Sequence, residues 1–301
     1  MSPVLLLSNW YSGATLLSLL LDSHPSIVCN GETFPFAQSD KRRHSCSCGS
    51  YIDQCEFYNQ TTTIKPNEEF PHNWDYRNAV INPRFHQNNM LNRYLTSPVR
   101  ESAFRRTLIA SLGISKKLNE FVTFQQKFMK KALEVNEAKT YVDGTKSIRR
   151  AQLFAKYSGM KKIKVIHLVR DGRAFCNSFR KNRNISEAEI YLAAQEWNDY
   201  IRLVDNLESG FENIEVTTIR YEDLCREKHL TIKKLATTLN LDSEQNFEKS
   251  DSVSHILGNR MRKNFNFNIK EDLSWRDELS SDVIDNITSV MDNHLARFEY
   301  L

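Results

Sequence analysis

Four residues near the N-terminus, Ser12-Gly13-Ala14-Thr15, stand between a short apolar run at 4–7 and an apolar stretch that starts at Leu16. A strand, a turn of small residues and a helix start, in that order, make an anion site. The unpaired N–H groups of the helix's first turn converge there, the helix dipole favours negative charge, and Ser12 and Thr15 add hydroxyls. The chemistry on offer is the holding of a phosphate or a sulfate. The loop is not a Walker loop, because G-x-x-x-x-G-K-[ST] is absent. Read alone, the same residues also make a plain strand-to-helix turn with Ser and Thr as caps.

A second junction of the same kind lies in the middle of the chain. The apolar run 164–169 ends in Arg170-Asp171-Gly172-Arg173, and a helical pattern carrying Ser178 follows. Arg170 can offer a forked guanidinium to a phosphate, and Ser178 a hydroxyl from two helical turns further on. Taken by itself, the segment also fits surface arginines paired with Asp171 or Glu196.

These groups need elements to position them. Residues 4–7, 27–29, 140–142, 164–169 and 215–219 read as strands, and 165–169 is apolar nearly throughout, as a central strand covered on both faces must be. Helical patterns at 148–157, 174–181, 188–207 and 230–239 alternate with them. That alternation predicts an α/β fold, a central parallel sheet with helices on both faces. The stretch 38–98 is rich in Asn, Pro, His and aromatic residues and lacks periodicity, so it reads as an irregular insertion over the ligand-binding edge of the sheet. Residues 100–138 read as amphipathic helix with Phe121, Phe124, Phe128 and Leu133 inward, and 275–300 as a helical tail. No internal repeat breaks the chain, and residues 1–301 are expected to form one domain in which about 38–138 shape the substrate side.

Composition narrows the function classes. A chain of 301 residues, 40% hydrophobic and 26% charged, can bury a full core without disulfide staples. Its net charge of +4 suits one basic pocket for an anion and is too small to argue for nucleic-acid binding. No apolar run approaches the roughly 18 residues that span a bilayer. The runs at 4–7 and 16–21 have no Lys or Arg before them and a polar turn between, so strand–turn–helix fits better than a targeting segment. A soluble cytoplasmic protein with no membrane partner is the expectation. Of six cysteines, Cys29, Cys176 and Cys225 stand alone as small core residues, while Cys46, Cys48 and Cys55 cluster. With His44 the cluster could ligate zinc, but the Cys-x-Cys spacing is tight and a fourth ligand is not evident, so it is read as packed thiols and no metal is assigned.

The two anion junctions together resemble the donor-binding motifs of the sulfotransferases that use 3′-phosphoadenosine 5′-phosphosulfate (PAPS). Further segments follow the same pattern in the same order: Leu21-Asp22-Ser23-His24-Pro25 leading to Gly31-Glu32, Asp143-Gly144-Thr145-Lys146, and Arg220-Tyr221-Glu222-Asp223-Leu224. Gly258-Asn259-Arg260-Met261-Arg262 and Asp272-Leu273-Ser274-Trp275 resemble the C-terminal part of bacterial-type members, and the cysteine cluster an insertion of some of them. In motif pattern the chain is similar to glycan and tyrosylprotein sulfotransferases. Residues 61–138 match no motif of the family.

The resemblance implies a P-loop-like three-layer fold and a role for each motif. Tyr11, Ser12, Gly13, Ala14 and Thr15 would hold the 5′-phosphosulfate of the donor. Arg170 and Ser178 would hold its 3′-phosphate, with Arg262 as a further contact and Tyr221 near the adenine. Glu32, after the second strand, would be the general base, and Lys146, after the third, the cation over the transferring group. The product would be adenosine 3′,5′-bisphosphate (PAP), the acceptor a hydroxyl on a small molecule or a sugar, and no metal is required. His24 and His167 are read as structural and His255 is left open. One departure matters. Many relatives carry Arg or Lys just before Ser-Gly, where this chain has Tyr11, a neutral donor. An inactive or weak PAPS-binding protein of the same fold is therefore the competing expectation, and a nucleotide kinase a second one.

Overall fold

The computed structural model describes residues 3–33, 45–61, 114–242, 255–263 and 269–301. Five strands, β1 (Val4–Ser8), β2 (Ile27–Cys29), β3 (Thr140–Asp143), β4 (Ile163–Val169) and β5 (Ile214–Arg220), form one sheet in the order β2-β3-β1-β4-β5. Every pairing is parallel: Val4 stands beside Val142 on one side and Lys164 on the other, Ile27 beside Thr140, and Ile163 beside Ile214. The sequence reading placed all five strands to within a residue or two at each end. Their apolar composition is the reason, since strands buried on both faces have no polar side to blur the signal.

The helices are α1 (Ala14–Asp22), α2 (Glu56–Thr61), α3 (Ile114–Val135), α4 (Ile148–Tyr157), α5 (Gly172–Arg183), α6 (Ile190–Gly210), α7 (Tyr221–Arg226), α8 (Lys228–Leu239), α9 (Trp275–Glu278) and α10 (Ser281–Arg297). Strand alternation divides the core. Leu5 and Leu7 face the layer of α2, α3 and α4, with Phe121, Phe154 and Tyr141 at its centre. Val4 and Leu6 face α1 and α8, with Leu17, Leu20 and Leu235. A third cluster joins α5, α6 and α10 around Phe175, Trp197 and Met291. This is the expected three-layer, P-loop-like arrangement. Phe121 and Phe128 of α3 are buried and Phe124 and Leu133 pack against the same core, as the amphipathic pattern required.

Helix ends follow their local chemistry. The Ser147 side chain caps α4 by accepting from the Arg150 N–H, and Asp171 caps α5 by accepting from the Arg173 N–H. Outside the five strands, Leu257 continues the β2 edge. Its N–H donates to the Asn30 carbonyl at 2.9 Å, and its carbonyl accepts from the Glu32 N–H at 2.9 Å. Among the described residues no helix is long and apolar enough to cross a membrane. The insertion of residues 38–98 lies outside the described residues except for 45–61, where a 3₁₀ turn (Ile52–Gln54) leads into α2.

Candidate active site

Because all five strands run the same way, their carboxyl ends share one edge of the sheet, and each exit delivers a candidate residue or segment. β1 leads into Tyr11–Thr15, β2 into Glu32, β3 into Lys146, β4 into Arg170 and β5 into Tyr221. Ligands of open α/β sheets bind at this edge.

The turn after β1 is built on two left-handed residues, Tyr11 at φ 58° and Gly13 at φ 88°. The Gly13 carbonyl accepts the Leu17 N–H at 3.0 Å and so starts α1. The N–H groups of the turn before that bond have no partner within the helix. Gly13 also lies against the Tyr221 ring: a Cβ there would stand 2.5 Å from Cδ2 and 2.7 Å from Cε2. Ser12 is buried, and its hydroxyl leans toward the Trp10 carbonyl at 3.4 Å.

Glu32 and Lys146, 114 residues apart in the chain, meet as an ion pair with Nζ 2.5 Å from Oε1. Both keep access to solvent, with 31% of the Glu32 side chain and 15% of the Lys146 side chain exposed. Thr15 and the Gly258 backbone close round the carboxylate, since a Cβ at Gly258 would stand 3.2 Å from Thr15 Oγ1 and 3.5 Å from Glu32 Oε1. Trp10, half exposed, lies beneath Lys146, whose Nζ is 5.6 Å from the ring centre.

A buried polar brace fixes this pair from behind. Asp143, at the end of β3, holds the Arg150 guanidinium with Nε 2.5 Å from Oδ2, and both side chains are almost wholly buried. Asp143 also accepts from the Thr145 backbone N–H at 3.0 Å and from its hydroxyl. Thr145 in turn reaches the Thr33 hydroxyl at 3.1 Å, and Arg150 donates to Gln125 Oε1 at 2.7 Å. The network thus links the residue after Glu32 to the residue before Lys146. Lys146 itself is left-handed, at φ 61°, and Tyr200 donates its hydroxyl to the Lys146 carbonyl at 3.4 Å.

Arg170 and Ser178 also come together as expected. Arg170 Nη1 donates to Ser178 Oγ at 3.2 Å and to the Tyr11 carbonyl at 2.7 Å, while Nη2 reaches Asp272 Oδ2 at 3.0 Å. The Tyr221 ring lies over the guanidinium, 5.0 Å from ring centre to Cζ. The Arg170 carbonyl accepts the buried Trp197 indole N–H at 3.0 Å, which fixes the turn after β4. Asp272 sits partly buried, which pushes its carboxyl up. Hydrogen bonds from Ser274 and the charge of Arg170 outweigh that and hold it below its ordinary value.

The remaining motif residues are placed as scaffold. Arg173 turns back to Asp171 and to the Tyr300 carbonyl at 2.6 Å. Glu222 is buried and accepts from the Asp171 N–H at 3.0 Å and the Tyr300 hydroxyl at 2.7 Å. Arg262 donates to the carbonyls of Ser45 and Asn259, each at 2.8 Å, and to that of Gly258, so it ties together the loops beside Glu32. The Tyr11 side chain packs edge-on to Phe179 at 6.3 Å. His24 accepts the Ser26 N–H on Nδ1 at 3.0 Å, the turn role foreseen for it.

A family model described as "Sulfotransferase family" matches residues 3–245. The chain belongs to the sulfotransferase family. The sulfotransferase domain of the curacin biosynthetic pathway has the same fold, at 17% identity and a TM-score of 0.51, with 97% of each chain covered. A sulfotransferase from Mycobacterium avium aligns at 12% identity and TM-score 0.48, over 98% of this chain and 76% of its own. One from Alicyclobacillus acidocaldarius aligns at 12% and 0.43, over 100% and 95%. No curated protein matches.

Sequence reasoning missed Trp10, Gly258 and the Asp143–Arg150 brace as parts of this site. A buried Asp just before the expected Lys, followed by a pair of arginines at 149 and 150, was the available signal for the brace.

Proposed function

We propose that the chain transfers the sulfuryl group of PAPS to a hydroxyl of a small-molecule or sugar acceptor, by in-line displacement at sulfur without a catalytic metal. The observation that carries the proposal is the Glu32–Lys146 pair at 2.5 Å, set against Thr15 at the mouth of an anion-binding turn. Binding a nucleotide does not require a partly exposed carboxylate there; taking a proton from an acceptor hydroxyl does. On this reading Glu32 removes the acceptor proton as the oxygen attacks sulfur. Lys146 and the N–H groups of the turn at 11–15 stabilise the charge that builds on the bridging oxygen of the departing PAP. Arg170 and Ser178 hold the 3′-phosphate, Tyr221 stacks near the adenine, and Arg262 shapes the pocket wall through the loop it binds. With Tyr11 turned to Phe179, Lys146 supplies the side-chain cation at the reacting group.

The test is calorimetric titration with PAP, wild type against Arg170→Ala. A charged hydrogen bond to phosphate contributes about 1.5–3 kcal/mol, so the variant should bind roughly 10- to 150-fold more weakly. A wild-type protein that ignores PAP but is stabilised by ATP with magnesium would overturn the reading in favour of a kinase.

A further inference from the structure

Cys46, Cys48, Cys55 and His255 bring one ligand atom each into a single cluster in which all four atoms lie within 4.8 Å of one another. Three of the six spacings come close to the edges of a zinc tetrahedron. Cys48 Sγ lies 3.7 Å from Cys55 Sγ, and His255 Nδ1 lies 3.6 Å from Cys46 Sγ and 3.2 Å from Cys55 Sγ. Bonds of about 2.3 Å to sulfur and about 2.0–2.1 Å to nitrogen at tetrahedral angles give S–S edges near 3.8 Å and S–N edges near 3.6 Å. We infer that these four residues form a structural zinc site.

The surroundings are built for ligation. Cys46-Ser47-Cys48-Gly49 forms a tight turn: the Gly49 N–H donates to the Cys46 carbonyl at 3.1 Å, and Gly49 is left-handed at φ 94°. The turn aims both thiols the same way. Cys55 stands just before α2. The His255 ring stacks on Phe57 at 4.9 Å and 12°, and its carbonyl accepts from the Tyr58 hydroxyl at 3.0 Å and the Asn30 amide at 3.1 Å. Backbone and ring are thus both fixed before any ion enters. Three thiolates and a neutral imidazole are a soft, closed set that suits zinc and leaves no position for substrate. The three thiol protons leave as the ion binds.

The position gives the site a purpose. His255 is two residues before Leu257, which pairs with Asn30 and Glu32, and three before Gly258, which lies over Thr15 and Glu32. The Ser47 hydroxyl and N–H bond Ile256 at 2.8 and 3.1 Å, so the cysteine loop already clasps this segment. Zinc locks the clasp and holds the wall of the Glu32 pocket in place. The expectation of packed thiols is replaced by this assignment, with His255 in the fourth position.

The test counts metal and needs neither donor nor acceptor, so its failure leaves the transferase reading standing. Full-length protein is purified without chelator, dialysed and analysed by atomic emission, and the metal-free form is titrated with cobalt(II). About one zinc ion per chain is expected, together with tetrahedral cobalt bands and thiolate-to-cobalt charge transfer. His255→Ala and Cys48→Ser should each bind cobalt at least about tenfold more weakly. The cobalt titration of the wild type decides the matter should either variant fail to fold. Metal-free protein whose cobalt spectrum is octahedral overturns the proposal, as does a Cys48–Cys55 disulfide found by mass in protein kept under reducing conditions.

Discussion

At the scale of single residues, the proposed chemistry rests on Glu32 and on what its carboxylate touches. Glu32→Gln keeps the shape and removes the base. Turnover should fall by about 10²- to 10⁴-fold while PAP affinity stays the same or rises, because Lys146 is released to the anion. Turnover with labelled donor, measured beside calorimetry, checks this, and full activity in the variant would place the base elsewhere. Glu32, Lys146, Arg170 and Tyr221 could be singled out in the sequence because each follows a strand end, where type and position can be read together. What each one touches was not. Arg262, expected as a further phosphate contact, holds the Ser45 and Asn259 carbonyls in the fold. His255 had no context until the chain returned over 200 residues to Cys55. Contacts at that separation are set by tertiary packing, which no local pattern records.

Elements place these residues through turn geometry, and the turn after β1 shows the cost of disturbing it. Gly13→Ala must adopt a left-handed backbone, costing about 1–2 kcal/mol, and must also push the Tyr221 ring off its place over Arg170. Gly159 makes a clean control: it is left-handed at φ 68° with nothing within 4 Å of a Cβ. Both alanine variants should lose stability in urea, but only Gly13→Ala should also weaken PAP binding. The strands and α4 were readable because apolar runs and helical periodicity are local signals. The pairing of Leu257 with the β2 edge was not, since a single bridging residue has no periodicity to detect.

For the whole molecule, the central sheet carries a pH dependence of its own. His167 sits inside β4, fully buried, and burial lowers its pKa from 6.5 to about 4. The folded chain therefore keeps the ring neutral where the unfolded chain protonates it. Between those two values the unfolded state binds more protons, so stability is full above about pH 6.5 and falls as pH drops toward about 4. At about pH 5 the loss is roughly 2 kcal/mol. Urea midpoints across this range measure it, and His167→Leu should flatten the profile. A slope unchanged in that variant would assign the dependence to other groups.

On the proposed reading, the contact between Arg170 and Asp272 makes the 3′-phosphate pocket an ion exchanger. One arm of the guanidinium is already held by a carboxylate of the C-terminal tail, 102 residues further along the chain. An incoming anion must displace a resident one, so the affinity observed is a difference between two charge pairs rather than the strength of either. Monovalent anions gain little from such an exchange, whereas a dianionic phosphate gains more than the carboxylate gives up. The Asp272 carboxylate thereby screens the pocket by charge density.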